Sequence, residues 1–195
     1  MIADDPTALP PGLPVPVDDG AADHLLGTRL PRIALSSTHG TDLSLDRVGS
    51  RERTIVYAYP RTGPPGEPEL AEDWDLIPGA RGCTPEACGF RDHHAELARA
   101  GADVVGLSTQ DTAVQREAVE RLHLPFPLLS DARLELTRAL RLPTFRVADQ
   151  VLLKRLTLVV RHARIEHLFY PVFPTDLHAA EVLSWLENHP LESPG

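Results

Sequence analysis

Cysteine is scarce in this chain of 195 residues, which holds only Cys83 and Cys88. That is too few for the disulfide framework of a small secreted domain. Lysine is scarcer still: Lys154 stands alone among 19 Lys and Arg residues, and the formal net charge is −9. This balance argues against nucleic-acid and anionic-membrane partners, both of which need clustered Lys and Arg. No apolar run approaches the roughly 20 residues of a membrane span. The N-terminus carries Asp4 and Asp5 where a signal peptide needs positive charge. The expectation is a cytoplasmic protein, long enough for one domain with a sizeable core. In a reducing compartment a cysteine pair points to catalysis or sensing rather than to a structural bridge.

The two cysteines fall in Gly82-Cys83-Thr84-Pro85-Glu86-Ala87-Cys88-Gly89-Phe90-Arg91-Asp92. Thr84 can cap a helix and Pro85 suits the first helical position, so a helix is predicted to begin beside Cys83. Free amides and the positive dipole end there favour a thiolate, which predicts a Cys83 pKa below the usual ~8.5. Cys88 falls inside the same helix, about 8.7 Å from Cys83 between Cα atoms by ideal geometry. Bridged cysteines need roughly 4.4–6.8 Å, so a disulfide requires the helix start to unwind. The pair therefore reads as a redox switch. The competing readings are two inert packed thiols, or a metal site drawing on His93 and His94. The second is disfavoured because adjacent histidines on a helix diverge by about 100°.

The stretch from Gly82 to Asp92 resembles the active-site helix of the Q-type peroxiredoxins, also called bacterioferritin comigratory proteins. The likeness continues through Gly40-Thr41-Asp42-Leu43-Ser44-Leu45, Thr54 to Pro60, Ala102 to Ser108, Leu124 to Asp131 and Arg155 to Val160, and covers about residues 30–188. It implies an α/β, thioredoxin-like fold with a central mixed sheet flanked by helices. It also implies a hydroperoxide substrate, Cys83 as the peroxide-reactive thiol, Cys88 as the resolving one, Arg155 beside the thiolate, and a thioredoxin-like dithiol reductant. No metal or organic cofactor is implied, and the chain is expected to be a monomer or homodimer. Two other functions stay open. One is a thiol–disulfide oxidoreductase, whose usual pair has two intervening residues where this one has four. The other is a redox sensor that is oxidised once and changes a partner interface.

One departure from the family pattern stands out. A proline, three residues, a hydroxyl residue and two more residues should precede the reactive cysteine. Here twenty-two residues separate Pro60 from Cys83, and Ala80 occupies the hydroxyl position. Thr62 folding back, Thr84, or no hydroxyl at all are the alternatives. The insertion, about residues 61–81, is rich in Pro and Gly and places five acidic residues around Trp74. Such a loop is either a lid or docking surface beside Cys83, or disordered. As an acidic lid it would oppose anionic peroxides.

Residues 1–28 are read as a Pro-rich, poorly ordered arm, and 29–190 as the domain. Within it, strands are expected at Ile55–Tyr59, Val104–Leu107, Leu152–Val160 and Arg164–Phe169. Helices are expected from Arg91, at Thr112–Leu122 with Val114 on its apolar side, from a cap at Asp131 to Leu140, and at Asp176–Leu186.

Overall fold

The computed structural model describes residues 9–191, so the first eight residues of the expected arm lie outside it. Apolar runs at Arg53–Ala58 (β3) and Ala102–Ser108 (β4) form the centre of the sheet. Every residue of β3 is buried, as expected of a strand covered on both faces. The two strands run parallel, from Arg53 opposite Ala102 to Ala58 opposite Leu107. Leu128–Ser130 (β5) joins β4 in parallel, and Leu156–Arg161 (β8) joins β3 antiparallel. Ala34–Ser37 (β1), Leu43–Ser44 (β2) and Arg164–Phe169 (β9) complete a mixed seven-stranded sheet in the order β2-β1-β5-β4-β3-β8-β9. Thr144–Val147 (β6) and Gln150–Leu153 (β7) form a separate antiparallel hairpin.

Cys83–Asp92 (α1), His94–Arg99 (α2), Thr112–Leu122 (α3) and His178–Asn188 (α5) cover one face of the sheet, burying Phe90, Leu97, Leu122 and Val182. Glu135–Leu140 (α4) covers the other with Leu136 and Leu140. This is the mixed sheet flanked by helices that the sequence predicts. A third cluster lies outside both layers, where Trp74 and Ala80 of the insertion pack on Val147 and Leu152 of the β6–β7 hairpin. The insertion is thus a folded element with its own small core, which excludes the disordered reading.

Four expectations need correction. The strand predicted over Leu152–Val160 is two strands, β7 and β8, in different sheets. They part at Lys154 and Arg155, where Lys154 N–H donates to Pro143 O and its ammonium reaches Asp19, while Arg155 turns inward. Val114 is 38% exposed, and the buried place in α3 belongs to Gln115, whose amide donates to Ser108 Oγ and Leu129 O. Asp131 is not the N-cap of α4; Leu134 holds that position, and the Asp131 carboxylate accepts from the Leu136 and Thr137 amides and the Thr137 hydroxyl. Finally, residues 19–27 of the arm dock on the domain, while Val15 and Val17 stay exposed. Ala22 and Leu25 enter the core, Asp19 accepts from Lys154 and Tyr170, and Gly27 N–H donates to Ile165 O. Apolar burial at Leu25 and ladder bonds to β9 hold it there. The short strands β5 and β6 escaped the sequence reading because three or four residues carry too little periodicity.

Candidate active site

β3 carries the chain to the carboxyl ends of the parallel strands, where an α/β sheet leaves a crevice. There Tyr59 N–H still pairs with Leu107 O. Thr62 is then held by a two-way amide bridge: its N–H donates to Gln110 Oε1 at 2.8 Å and its carbonyl accepts from Gln110 Nε2 at 2.7 Å. The insertion departs from that clamp, folds over Trp74 and returns through Gly79, Ala80 and Arg81 to Gly82. Gly82 sits at φ 104°, a left-handed conformation that favours glycine. A Cβ there would also collide with Thr175 Oγ1 and Leu9 Cδ2.

Gly82, and not Thr84, is the N-cap of α1, with no side-chain cap, and Pro85 lies in the first turn without being its first residue. Cys83 opens the helix, 6% exposed, and Cys88 follows one and a half turns later, also buried; both are free thiols. Arg155 is 3% exposed and meets Cys83, its Nη2 donating to Sγ at 3.0 Å. As a thiol, Cys83 can also donate to Ala80 O, 3.8 Å away. The guanidinium is clamped by the returning insertion, through Gly79 O at 3.3 Å and Ala80 O at 3.3 Å. Its Nη1 donates to Glu86 Oε2. The Arg155–Glu86 pair has almost no exposed surface, so removing either partner would strand a buried charge.

The structure brings Cys83 and Arg155 together and leaves Cys88 deeper in α1, near Arg91 and Asp92. Burial pushes the Cys83 thiol up; the charge and N–H of Arg155 and the Arg61 backbone N–H oppose that, and the Glu86 carboxylate adds to it. The predicted depression is therefore not met, because loss of water around the buried sulfur outweighs one shared cation. Burial likewise pushes Cys88 up. His93 is engaged with Glu96, and the His94 ring lies tilted against Phe126.

Cys83 lies in the wall of a cavity of about 450 Å³ with Thr62, Thr84, Trp74 and Pro10. The Thr62 hydroxyl is buried and has no hydrogen-bond partner among the described residues. An orphaned donor of this kind is costly unless something else fills it. The backbone N–H of Arg61, the residue before Thr62, reaches the Cys83 sulfur.

A family model described as Redoxin matches residues 25–183. The chain belongs to the redoxin family. This redoxin is 29% identical over 167 residues to peroxiredoxin Bcp of Escherichia coli, covering 84% of this chain and 96% of that one. It is 28% identical over 163 residues to the chloroplastic peroxiredoxin Q of Oryza sativa subsp. japonica, covering 83% and 66% respectively. The first curated relatives are longer: the chain spans only 62% of peroxiredoxin bcp1 of Schizosaccharomyces pombe, at 28% identity over 137 residues and 69% of this chain. Among solved structures, peroxidoxin BcpB of Mycobacterium tuberculosis superposes with a TM-score of 0.68 at 26% identity, over 86% of this chain and 98% of that one. The fold of this redoxin is thioredoxin-like, and its relatives are the Bcp and Q-type peroxiredoxins.

Sequence reading missed Glu86. The signal was available: it lies three residues after Cys83, hence on the same helical side, where a carboxylate can meet whatever cation faces the thiol. Tyr57 and Tyr59 were read only as strand residues, yet both hydroxyls are buried, that of Tyr57 without a partner among the described residues. No helix among the described residues is long and apolar enough to cross a membrane.

Proposed function

We propose that this redoxin is a thiol-dependent peroxidase that reduces hydrogen peroxide or organic hydroperoxides and is recycled by a thioredoxin-like dithiol. The carrying observation is the Arg155 guanidinium 3.0 Å from the Cys83 sulfur at the edge of a surface-connected cavity. A thiolate there is held by a fixed positive charge, which also attracts the oxygens of a bound peroxide.

In this reading, the Cys83 thiolate attacks the terminal peroxide oxygen. The S–O bond forms as the O–O bond breaks, and the departing oxygen takes a proton to leave as water or alcohol. Cys83 becomes a sulfenic acid. The Cys88 thiol then attacks the Cys83 sulfur, expelling water and forming a disulfide, for which the first turns of α1 must unwind. An external dithiol reduces that bridge by exchange. No cofactor is invoked. A cytoplasmic location and a monomeric or homodimeric state belong to the same proposal.

The deciding experiment is peroxide consumption by the purified protein with a thioredoxin system, for wild type and Cys83→Ser. Sustained turnover in wild type that is lost in the variant supports the proposal. A single oxidation without turnover would make the protein a sensor instead.

A further inference from the structure

Gly82 closes the first turn of α1, because its carbonyl accepts from Glu86 N–H at 3.1 Å. Its α-carbon is gripped from two sides. A Cβ there would lie 2.7 Å from Leu9 Cδ2 and nearer still to the Thr175 hydroxyl, so these two side chains occupy the space that glycine leaves open. Thr175 belongs to the loop between β9 and α5 and is fully buried. The same stretch meets α1 again at Gly89, where a Cβ would touch Ala179 at 3.4 Å. That side of the grip is fixed to the core.

The other side comes from the N-terminal arm. The arm is tied to the domain at Asp19 and Leu25, and on its way to Leu9 it packs Pro16 against Gly79, whose carbonyl accepts from Arg155. It therefore touches both ends of the segment from Gly79 to Gly82 that returns the insertion to the thiol. Leu9 itself is partly exposed and is the movable jaw of the grip. A disulfide between Cys83 and Cys88 has to open it, since residues five apart in a helix lie about 8.7 Å apart and bridged ones at roughly 4.4–6.8 Å. The end of α1 that carries Cys88 is the better anchored: Phe90 is fully buried and stacks on Tyr57 at 4.7 Å, and Gly89 rests on Ala179. Cys83 is thus the residue that travels, and Gly82 goes with it.

We infer that Leu9 is a positioning residue of the thiol site: through Gly82 it holds the first turn of α1 closed, and so sets how the Cys83 sulfenic acid divides between bonding to Cys88 and further oxidation. The inference rests on the peroxidase reading above, with Cys83 as the reactive thiol. In the first branch the Cys88 thiol attacks the Cys83 sulfur; the S–S bond forms, the S–O bond breaks, and the oxygen leaves as water with the thiol proton. In the second, the Cys83 sulfur takes an oxygen from a second hydroperoxide, whose O–O bond breaks, giving a sulfinic acid and water or alcohol. Only the first branch needs the turn to open.

The test is Leu9→Ala in the full chain, oxidised with stoichiometric and then excess hydrogen peroxide, quenched by thiol alkylation and read by mass spectrometry. Losing most of the Leu9 contact should speed the step from sulfenic acid to disulfide about three- to tenfold and lower the sulfinic fraction in excess peroxide by a similar factor. In the reduced variant, amide exchange at Glu86–Cys88 should rise while Phe90–Asp92 stay protected. Leu9→Met, which refills the contact, should bring disulfide rate and exchange back to wild-type values. A leucine that merely packs would lower the melting temperature and leave the disulfide rate and sulfinic fraction in place, and that result overturns the inference, as does faster exchange without faster disulfide formation. Failure of the peroxidase reading looks different: wild type would then form no Cys83–Cys88 disulfide with stoichiometric peroxide, and the inference would fall with it.

Discussion

Arg155 and Cys83, separated by 72 residues of sequence, are joined by a 3.0 Å contact from Nη2 to Sγ. Because Arg155 also holds the buried Glu86, Arg155→Met should do two things. It should raise the Cys83 pKa further and slow the peroxide step, since the main group opposing burial is gone. It should also destabilise the fold by about 3–5 kcal/mol by stranding Glu86. Adding Glu86→Gln should restore much of the stability and not the rate. Denaturant titrations beside stopped-flow peroxide oxidation separate the two effects, and an unchanged rate in a folded Arg155→Met protein would remove Arg155 from the mechanism.

The two cysteines should part in function. Cys83→Ser abolishes turnover, whereas Cys88→Ser still forms a sulfenic acid at Cys83 that a dimedone-type reagent traps. Mass spectrometry finding the first oxidation mainly at Cys88 would reverse the roles.

Both thiols lie in one helix as free thiols, so a bridge between them would require it to unwind. Stoichiometric peroxide should increase amide exchange at residues 83–88 and reduce helical circular dichroism, reversibly on dithiol addition. A helix equally protected in both redox states would exclude an intramolecular bridge.

The orphaned Thr62 hydroxyl is expected to bond the peroxide or the thiolate. Thr62→Val should slow the peroxide step about ten- to a hundredfold, the worth of one charge-assisted hydrogen bond of roughly 1.5–3 kcal/mol. Ala80→Thr tests the other position; acceleration there would mean that Thr62 does not supply the group.

Trp74 anchors the insertion whose carbonyls clamp Arg155. Trp74→Ala should free residues 61–82, seen as faster amide exchange, and lower the peroxide rate while the seven-stranded sheet stays intact. Peroxide kinetics indistinguishable from wild type despite a loosened insertion would show that the clamp has no catalytic effect.

Away from the site, hydrogen bonds from Arg53 hold Glu166 below the usual carboxylate range. A depressed folded-state pKa contributes stability above the ordinary value of about 4.5, and that stability is lost as pH falls through the folded value. Thermal melts should therefore show Glu166→Gln less stable than wild type at pH 7, with the gap closing in acid. A constant gap across that range would mean that Glu166 acts through packing.

What the sequence determined by itself is local. Gly82 to Cys88 announces a helix start bearing two thiols, because proline preference and residue spacing act within one or two turns, even though the cap is Gly82 rather than Thr84. Alternating apolar runs announce an α/β sheet for the same reason. The tertiary structure decided the rest. Only the break between β7 and β8 turns Arg155 inward while Lys154 goes to Asp19, a choice that strand alternation leaves undetermined. The amide clamp of Gln110 fixes Thr62 in the wall of the cavity that Cys83 also lines, and burial reverses the expected direction of the Cys83 pKa. Each depends on groups distant in sequence and on exclusion of water, which no window of neighbouring residues encodes.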